Sequence, residues 1–249
     1  MFQTPQLTID QSDILIHRIR SERGIPLMKK ILITGMSGLI GGLLHKYLKQ
    51  KGEYQLSALN RRNIRDVDCF QSDLSDLESI KPAFDGKEIV VHLAAQITDE
   101  PWESIVSTNI IGTYNVFRAA QLSGVRRVVF ASSGATVKGW EEIEPYNSIT
   151  SGRYEEAPEN WPMITHEMIR PDGTYGASKV WGETLGRYFS DRYGISILCV
   201  RIGTVYAEDR PIKSRDFSTY LSHQDVVDIL HRCIEAPNEL KYDVFLSSY

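Results

Sequence analysis

The sequence contains few cysteines, and they do not form a pattern typical of a metal site. Cys69, Cys199 and Cys233 are scattered along 249 residues, with no C-x-x-C spacing. A secreted disulfide framework normally has an even and dense set of cysteines. The composition therefore favours free thiols in a reducing cytoplasm. The six scattered histidines predict no metal either, and His92, in a strand-like run, is interpreted as a packed side chain.

Excess positive charge and long apolar runs are also missing. The formal net charge is −4 at pH 7, so the chain lacks the excess of basic residues that is typical of nucleic-acid-binding proteins. No apolar stretch approaches the roughly 20 residues that cross a bilayer as a helix. Hydrophobic residues make up 42% and charged residues 24%, proportions typical of a globular protein with a substantial core. We therefore expect a cytoplasmic protein that binds neither nucleic acid nor a membrane.

The first 27 residues differ from the rest of the chain. They lack both the basic start and the long apolar stretch of a signal peptide. Met28-Lys29-Lys30 comes directly before the first strand-like run and resembles a natural start. We expect 1–27 to be a poorly ordered N-terminal extension, and 28–249 to form one folded domain.

A glycine-rich turn follows the strand-like run 31–33. Its glycines are Gly35, Gly38 and Gly41, and an amphipathic helical pattern begins at Leu39. Strand, glycine turn and helix together bind a dinucleotide pyrophosphate, because the glycines allow a tight turn, close backbone approach and close helix packing. The G-x-x-G-x-x-G spacing is weak evidence alone, but its place between strand and helix strengthens it. The candidate cofactor-binding residues here are Gly35, Ser37, Gly38, Leu39, Ile40 and Gly41.

Apolar strand-like runs and helical patterns alternate through the rest of the chain. The predicted strands are 54–59, 89–93, 127–131, 195–202 and 242–246, and the predicted helices include 108–122, 179–193 and 225–236. This alternation predicts an α/β fold: a Rossmann-type, doubly wound parallel sheet with helices on both faces and a small C-terminal substrate-binding part. The segment 139–173 interrupts the alternation of strands and helices. A connection of this length in a compact domain is usually functional or mobile.

A second motif, Tyr175-Gly176-Ala177-Ser178-Lys179, lies near the start of a helical pattern. Residues four apart share one helix face, so the Tyr175 phenol and the Lys179 ammonium can approach each other. A nearby positive charge favours the phenolate and lowers the pKa of the phenol from about 10. Tyr175 is therefore a candidate base for removing the proton of a substrate hydroxyl.

Together these motifs resemble the extended short-chain dehydrogenase/reductases, the NAD-dependent epimerase/dehydratase family. The likeness is carried by TGMSGLIG at 34–41, HLAA at 92–95, NIIGTYN at 109–115, VVFASS at 128–133, YGASK at 175–179 and VRIGT at 200–204. The resemblance implies a single NAD(P)-binding Rossmann domain over 28–249, with a substrate-side insertion at 139–173. It also implies a homodimer that pairs through helices at about 103–122 and 176–193.

The resemblance assigns roles to individual residues. Tyr175 would be the catalytic base, Lys179 would lower its pKa and hold the cofactor ribose, and Asn109 would belong to the catalytic framework. Ser133 resembles the serine that hydrogen-bonds the reacting oxygen. Ser132 is an alternative, because the stretch after the serines is one residue longer than usual. Further implied cofactor contacts are Asp73, Leu74, Leu93, Ala94, Ala95 and Ile202.

Within this family the sequence is similar to the uronate dehydrogenases. The likeness lies in RPDG at 170–173 and in RDFSTYLSH at 215–223. It implies that Arg215 grips a sugar carboxylate, which suits a bidentate guanidinium. The implied substrate contacts are Ser133, Gly134, Thr204 and Arg215.

Three features depart from the uronate dehydrogenase pattern. Gly134-Ala135 follows the serine pair where Asn-His is usual, and Ile97 replaces a substrate-binding serine. The connection 139–173 is considerably longer. These departures predict a different or reshaped sugar pocket.

The residues after the second predicted strand bear on the choice between NAD and NADP. An acid there binds the adenine-ribose hydroxyls and favours NAD, whereas this chain has Asn60, Arg61 and Arg62. Asn60 carries no charge to repel a 2′-phosphate, and either arginine could pair with one. These residues favour NADP slightly, while the uronate dehydrogenase likeness favours NAD.

Three functions fit the motifs. We favour an NAD(P)-dependent oxidoreductase that transfers a hydride from a hydroxyl of a sugar or sugar acid. The second is a nucleotide-sugar epimerase or dehydratase, but only 74 residues follow Tyr175, fewer than the larger C-terminal lobe of such members. The third is a non-catalytic NAD(P)-binding sensor.

Overall fold

The computed structural model describes residues 28–247. The predicted N-terminal extension, 1–27, lies outside the described residues. Within 28–247, seven strands form one parallel sheet with the order β3-β2-β1-β4-β5-β6-β7. The strands are β1 (Lys29–Thr34), β2 (Tyr54–Asn60), β3 (Asp68–Gln71), β4 (Ile89–His92), β5 (Arg127–Ser133), β6 (Ser196–Ile202) and β7 (Tyr242–Leu246). The predicted Rossmann-type parallel sheet is confirmed.

Helices cover both faces of this sheet. They are α1 (Leu39–Lys51), α2 (Leu77–Ile80), α3 (Trp102–Ser104), α4 (Gly112–Leu122), α5 (Tyr146–Thr150), α6 (Thr174–Tyr193) and α7 (His223–Glu235). A π-helical stretch, Ile105–Ile111, joins α3 to α4. Single 3₁₀ turns occur at Lys81–Phe84, Gly134–Thr136, Lys138–Glu142, Tyr154–Glu156 and Ser214–Ser218.

The strand sequence explains the two layers of the core. Successive side chains of a strand point to opposite faces, so Ile31 and Ile33 pack on one face and Leu32 on the other. All three are fully buried. The first face packs against α1 and α7 through residues such as Leu44 and Leu230. A sheet buried on both faces needs near-continuous apolar strands, which is the pattern that the sequence shows.

The strand order reverses between β1 and β4, which places a crevice at the carboxyl ends of these strands. Every strand is parallel, so the segments after β1, β4, β5 and β6 all emerge at this edge. The glycine turn, the segment after His92 and the serine pair are therefore brought to one side of the sheet. The fold positions the candidate site residues in this way.

Three elements were not predicted from the sequence: the edge strand β3 and the short helices α2 and α5. In β3, Asp68 and Gln71 are exposed and only Cys69 and Phe70 are half-buried, so the apolar pattern of a central strand is missing. The helix predicted over 108–122 also begins earlier, because the π-helical stretch extends it to Trp102. Periodicity of 3.6 residues does not describe a π-helix.

The segment 139–173 is folded back on itself at the carboxyl edge of the sheet. The Gly139 N–H donates to the Arg170 carbonyl over 2.8 Å, and the Arg170 N–H donates to Thr136 over 2.9 Å. The Trp140 indole donates to the Met168 carbonyl over 2.8 Å. Both ends of the segment therefore meet beside β5, next to the serine pair.

In residues 28–247, no helix combines the length and apolarity that crossing a membrane requires. Nor does any group of three or more His, Cys, Asp or Glu side chains in this range lie close enough to hold a metal ion.

Candidate active site

The glycine turn connects β1 to α1 and leaves no room for side chains. Gly35 has a φ of +72°, and a Cβ there would lie 2.7 Å from the backbone of Ala94. A Cβ on Gly41 would collide with the backbone of Gly35 and Met36. Gly35 is therefore required by the turn, and Gly41 by the close packing of α1 on it.

The start of α1 fits the pyrophosphate of a dinucleotide. Within the described chain, no side chain caps this helix at Gly38 and no acidic residue occupies its first turn. The first N–H groups of a helix lack intrahelical partners and carry a partial positive charge. Ser37, Gly38 and Leu39 are exposed, with Ile40 half-buried behind them, so an anion can reach these groups. A bound NAD(P) would be held here.

The residues predicted to contact the adenine side lie at the ends of β2 and β3. Asn60 is buried and its side-chain amide donates to the Arg62 carbonyl over 3.4 Å. Arg61 and Arg62 are exposed. Hydrogen bonds from Ser75 hold the pKa of Asp73 below its usual range, with a smaller contribution from the charge of Arg61. Arg61 and Asp73 are therefore close enough to share one end of the groove.

The segment after β4 is fixed to the end of β1. The Leu93 N–H donates to the Thr34 carbonyl and the Ala94 N–H to the Thr34 hydroxyl, each over 3.2 Å. Leu93, Ala94 and Ala95 are half-buried along the crevice. Leu74, the remaining predicted contact of this region, is buried against Gly112. The predicted contacts Leu93, Ala94 and Ala95 therefore lie beside the end of β1, where the glycine turn begins.

His92 is a packed side chain, as the sequence analysis predicted. Its Nδ1 lies 2.7 Å from the Thr34 hydroxyl and its Nε2 lies 3.2 Å from the Thr113 hydroxyl. Burial, assisted by the charge of Lys179, lowers the pKa of His92 from 6.5 to about 3. A neutral imidazole therefore links β1, β4 and α4 beneath the groove.

Tyr175, Lys179 and Ser133 are brought together where α6 crosses the end of β5. The Lys179 Nζ lies 5.6 Å from the centre of the Tyr175 ring and donates to the Ala131 carbonyl over 2.8 Å. The Ser133 hydroxyl lies close enough to the Tyr175 phenol to lower its pKa. Ile202, a predicted cofactor contact, lies beside Ser133 in the register of β5 and β6. These groups form the centre of the candidate site.

The pKa of Tyr175 moves in the direction opposite to the prediction. Burial raises it above 10, and the nearby Ser133 hydroxyl only partly opposes this effect. The Lys179 ammonium is held by the Ala131 carbonyl, and burial lowers its own pKa to about 8. Desolvation of the phenol therefore outweighs the expected effect of the lysine among the described groups.

The two serines at the end of β5 point to different places. Ser132 is buried, and its hydroxyl donates to Glu183 over 2.5 Å. Glu183 is also paired with the buried Arg201 through two hydrogen bonds of 2.8 Å. Ser133 instead lines the cavity beside Tyr175. The geometry favours Ser133 as the serine that can meet a substrate.

Asn109 lies in the π-helical stretch and is buried. Its side-chain amide donates to the Gln96 carbonyl and to the Ser178 hydroxyl over 2.8 and 2.9 Å, and its oxygen accepts from the Gln96 N–H. Ser178 in turn donates to the Tyr175 carbonyl over 2.7 Å. Asn109 therefore connects the segment after β4 to the first turn of α6, and acts on Tyr175 through the backbone.

Sequence reasoning missed Asp99, which caps α6. Its carboxylate accepts from the Tyr175 N–H over 2.7 Å and from the Thr174 hydroxyl over 3.0 Å. A Cβ on Gly173 would lie 2.6 Å from this carboxylate, so glycine is needed at the cap position. The capping acid lies on a distant loop, and no local motif such as a capping box indicates it.

A cavity of about 520 Å³ opens beside Ser133. One side is formed by the ends of β5 and β6 and by the turn Ser214–Ser218, and the other by the 139–173 segment. Its lining includes the four predicted substrate contacts, Ser133, Gly134, Thr204 and Arg215. The segment contributes Glu141, Tyr146, Ile149, Thr150, Trp161, Pro162, Met163 and Ile164.

Arg215 reaches this cavity, but its guanidinium already has a carboxylate partner. Its Nε and Nη2 each donate to one oxygen of Glu141 over 2.5 Å. Its Nη1 lies 3.4 Å from the hydroxyls of Thr204 and Thr219. The resemblance implies that the Arg215 guanidinium binds a sugar carboxylate through two hydrogen bonds. In this structure Glu141, a residue of the 139–173 segment, accepts those two hydrogen bonds.

Comparisons with known proteins identify the family of this chain. A model of the NAD dependent epimerase/dehydratase family matches residues 31–224. The chain is 34% identical over 213 residues to a uronate dehydrogenase of Agrobacterium fabrum, covering 84% of this chain and 73% of that protein. It is 32% identical over 220 residues to the L-arabinose 1-dehydrogenase (NAD(P)(+)) of Haloferax volcanii, covering 84% of each.

A solved structure has the same fold. The chain superposes with a TM-score of 0.72 on a mutant uronate dehydrogenase from Agrobacterium tumefaciens complexed with NAD. The two are 30% identical, and the match covers 89% of this chain and 77% of the other.

Proposed function

Because this chain belongs to the NAD dependent epimerase/dehydratase family, we propose that it is an NAD(P)-dependent dehydrogenase acting on a hydroxyl of a sugar or sugar acid. The observation that carries the proposal is the convergence of Ser133, Tyr175 and Lys179 beside a cavity at the carboxyl edge of the sheet. The relatives named uronate dehydrogenase and L-arabinose 1-dehydrogenase support a monosaccharide substrate.

In the proposed mechanism, the side chains of this protein bind and deprotonate the substrate hydroxyl. Ser133 hydrogen-bonds the reacting oxygen and holds it near the Tyr175 phenol. Tyr175 accepts the hydroxyl proton, and Lys179 keeps a positive charge within reach of the phenol. NAD(P)⁺, when bound, supplies the hydride acceptor. The burial that raises the pKa of Tyr175 keeps the phenol protonated at rest, so its activation depends on charge gathered around the site.

Replacing Tyr175 by phenylalanine tests this function. Positioned acid–base groups typically contribute about 10²–10⁴-fold to a rate, so we expect kcat to fall by that factor in Tyr175→Phe. The dissociation constant of the cofactor should change little, because the ring remains. Tyr154→Phe is the matched control, since Tyr154 is exposed and does not line the cavity. Normal cofactor binding with undiminished turnover in Tyr175→Phe would contradict the proposal and favour a non-catalytic sensor.

The same proposal includes a slight preference for NADP over NAD. It is supported by Asn60, which bears no charge at the end of β2, and by the exposed guanidinium groups of Arg61 and Arg62. A 2′-phosphate would be neutralised by these cations, whereas NAD gains nothing from them.

We also propose that the protein forms a homodimer through α4 and α6. Six large apolar side chains are exposed on or beside these helices: Ile111, Tyr114, Leu122, Trp181, Tyr188 and Tyr193. Tyr114 and Tyr188 both pack on Phe189, so the patch is continuous across the two helices. Sedimentation equilibrium of wild type and Trp181→Glu tests this interface. A monomeric wild type would contradict it.

A further inference from the structure

The cavity beside Ser133 is lined by two cations among the described residues, and each is paired with a carboxylate of the chain. Arg215 forms the bidentate pair with Glu141. Lys138 is bonded to Asp172. A substrate anion that enters the cavity would therefore find both positive charges already neutralised.

The charge around Arg215 is negative on balance. The hydrogen bonds that Arg215 donates to Glu141 raise the pKa of Arg215, and the charges of Asp216 and Asp172 add to this effect. Asp216 is buried and fixed by the N–H groups of Ile212 and Lys213 over 2.8 and 2.7 Å, so it cannot move away. A substrate carboxylate that displaced Glu141 would leave that side chain unpaired in a half-buried site. Leaving one charge of a buried pair without its partner is costly.

The remaining lining suits an uncharged polyol. Hydroxyl groups of Thr150, Thr204, Ser218 and Thr219 line the cavity as donors and acceptors for sugar hydroxyls. Apolar and aromatic surfaces of Tyr146, Ile149, Trp161, Met163 and Phe217 complete the wall and can pack on the C–H face of a ring.

We propose that Glu141 is a specificity-determining residue that occupies the carboxylate position and makes this enzyme select a neutral aldose over a uronate or a phosphorylated sugar. The assignment rests on the proposed function. In the reaction, the C1–H bond of the cyclic aldose would break and its hydride would go to a bound NAD(P)⁺. The proton of the C1 hydroxyl would go to the phenolate form of Tyr175, and C1 and its oxygen would form the carbonyl of a lactone.

The test compares matched neutral and acidic sugars in wild type and in Glu141→Gln. The pairs are D-glucose with D-glucuronate and D-galactose with D-galacturonate, and D-glucose 6-phosphate is included, each with NAD and NADP. For wild type we expect kcat/KM to be at least about tenfold higher for the neutral member of a pair. In Glu141→Gln the guanidinium loses its neutralising charge, which should raise kcat/KM for the uronate by about tenfold or more.

Two further variants separate the local contact from other effects. Glu142→Gln removes the same charge from the exposed neighbouring position, and we expect it to leave the preference for neutral sugars unchanged. Adding Arg215→Gln to Glu141→Gln should abolish the gain for uronates, because the gain depends on the Arg215 guanidinium. Thermal unfolding of each variant confirms that it is folded at the assay temperature.

Several outcomes would overturn the assignment. A wild-type kcat/KM for a uronate that equals or exceeds that of its neutral partner would do so, as would an unchanged uronate kcat/KM in folded Glu141→Gln. If the wild type binds NAD(P) but oxidises no sugar in the panel, the proposed function itself fails. That result differs from an enzyme that oxidises uronates well, which would overturn the role of Glu141 alone.

Discussion

The Asp99 carboxylate accepts a hydrogen bond from the backbone N–H of Tyr175 over 2.7 Å. A residue of the loop after β4 thereby caps the helix that carries the proposed catalytic base. The same loop is tied through Gln96 to Asn109, which hydrogen-bonds Ser178 one turn into that helix. The position of the phenol is therefore set from two sides by groups outside its own helix.

Replacing Asp99 by alanine should affect both stability and rate. Loss of an N-cap typically costs about 1 kcal/mol of unfolding free energy, which lowers Tm by about 2–4 °C in a protein of this size. We expect kcat to fall more than cofactor affinity, because the start of α6 positions Tyr175. Asp99→Asn retains a carbonyl acceptor and should recover most of both losses. An Asp99→Asn protein as impaired as Asp99→Ala would show that the cap is not the relevant interaction.

Replacing the two serines of β5 one at a time should have different effects, mainly on kcat for Ser133 and mainly on stability for Ser132. Ser133→Ala removes a hydrogen bond to the reacting oxygen, and loss of one such donor commonly lowers kcat by about 10²–10³-fold. Ser132→Ala removes one of the two donors to the Oε1 atom of buried Glu183 and leaves only Arg201, so it should destabilise the fold by about 1–3 kcal/mol with a smaller effect on kcat. Steady-state kinetics and urea unfolding of both variants check this. A reversed pattern would assign the catalytic role to Ser132.

Arg61→Ala should weaken the binding of NADP and leave the binding of NAD unchanged. A charge-assisted contact to a phosphate contributes about 1.5–3 kcal/mol, so the NADP dissociation constant should rise by about tenfold or more. NAD lacks the 2′-phosphate, and its dissociation constant should stay close to that of wild type. Arg65→Ala, at an exposed position further from Asn60, is the control. Tighter binding of NAD than NADP to wild type, unchanged in Arg61→Ala, would contradict the NADP preference.

His92 should make the protein acid-sensitive. Its pKa is about 3 in the folded protein and 6.5 as its ordinary value, so the unfolded chain binds the proton first as pH falls. Stability is therefore lost progressively from about pH 6.5 towards pH 3, with a slope of up to about 1.4 kcal/mol per pH unit from this group. His92→Gln should be less stable at pH 7 but should lose stability less steeply below pH 6.5.

Urea unfolding at a series of pH values measures that slope. His166→Gln, which removes an exposed histidine, controls for the loss of one imidazole. Equal slopes in wild type and His92→Gln would show that His92 does not govern the acid response.

Much of the fold and the cofactor groove could be predicted from local patterns. The apolar runs of β1, β4, β5 and β6 indicate a parallel sheet because each is buried on both faces. The glycine turn and the Tyr175–Lys179 spacing are also local, since each lies within one turn or one helix. The edge strand β3 was missed because its exposed ends carry polar side chains.

Pairings between loops could not be predicted in the same way. Glu141 and Arg215 are 74 positions apart, and Asp99 and Tyr175 are 76 apart. Neither contact follows from periodicity, because it depends on how two irregular segments meet above the sheet. The sequence singled out Arg215, which lines the cavity, but could not show which carboxylate it meets. The predicted direction of the Tyr175 pKa shift was wrong for a related reason. Burial by distant segments raises this pKa, which outweighs any lowering by the neighbouring lysine.

The hydrogen bond between Gly139 and Arg170 joins the two ends of the 139–173 segment. Eight of the residues that line the cavity, including Glu141, belong to this segment, while the groups proposed for hydride transfer belong to β5 and α6. Substitutions within this one segment can therefore change the substrate specificity of the protein. The residues proposed to transfer the proton and to bind the cofactor lie outside the segment and would remain unchanged.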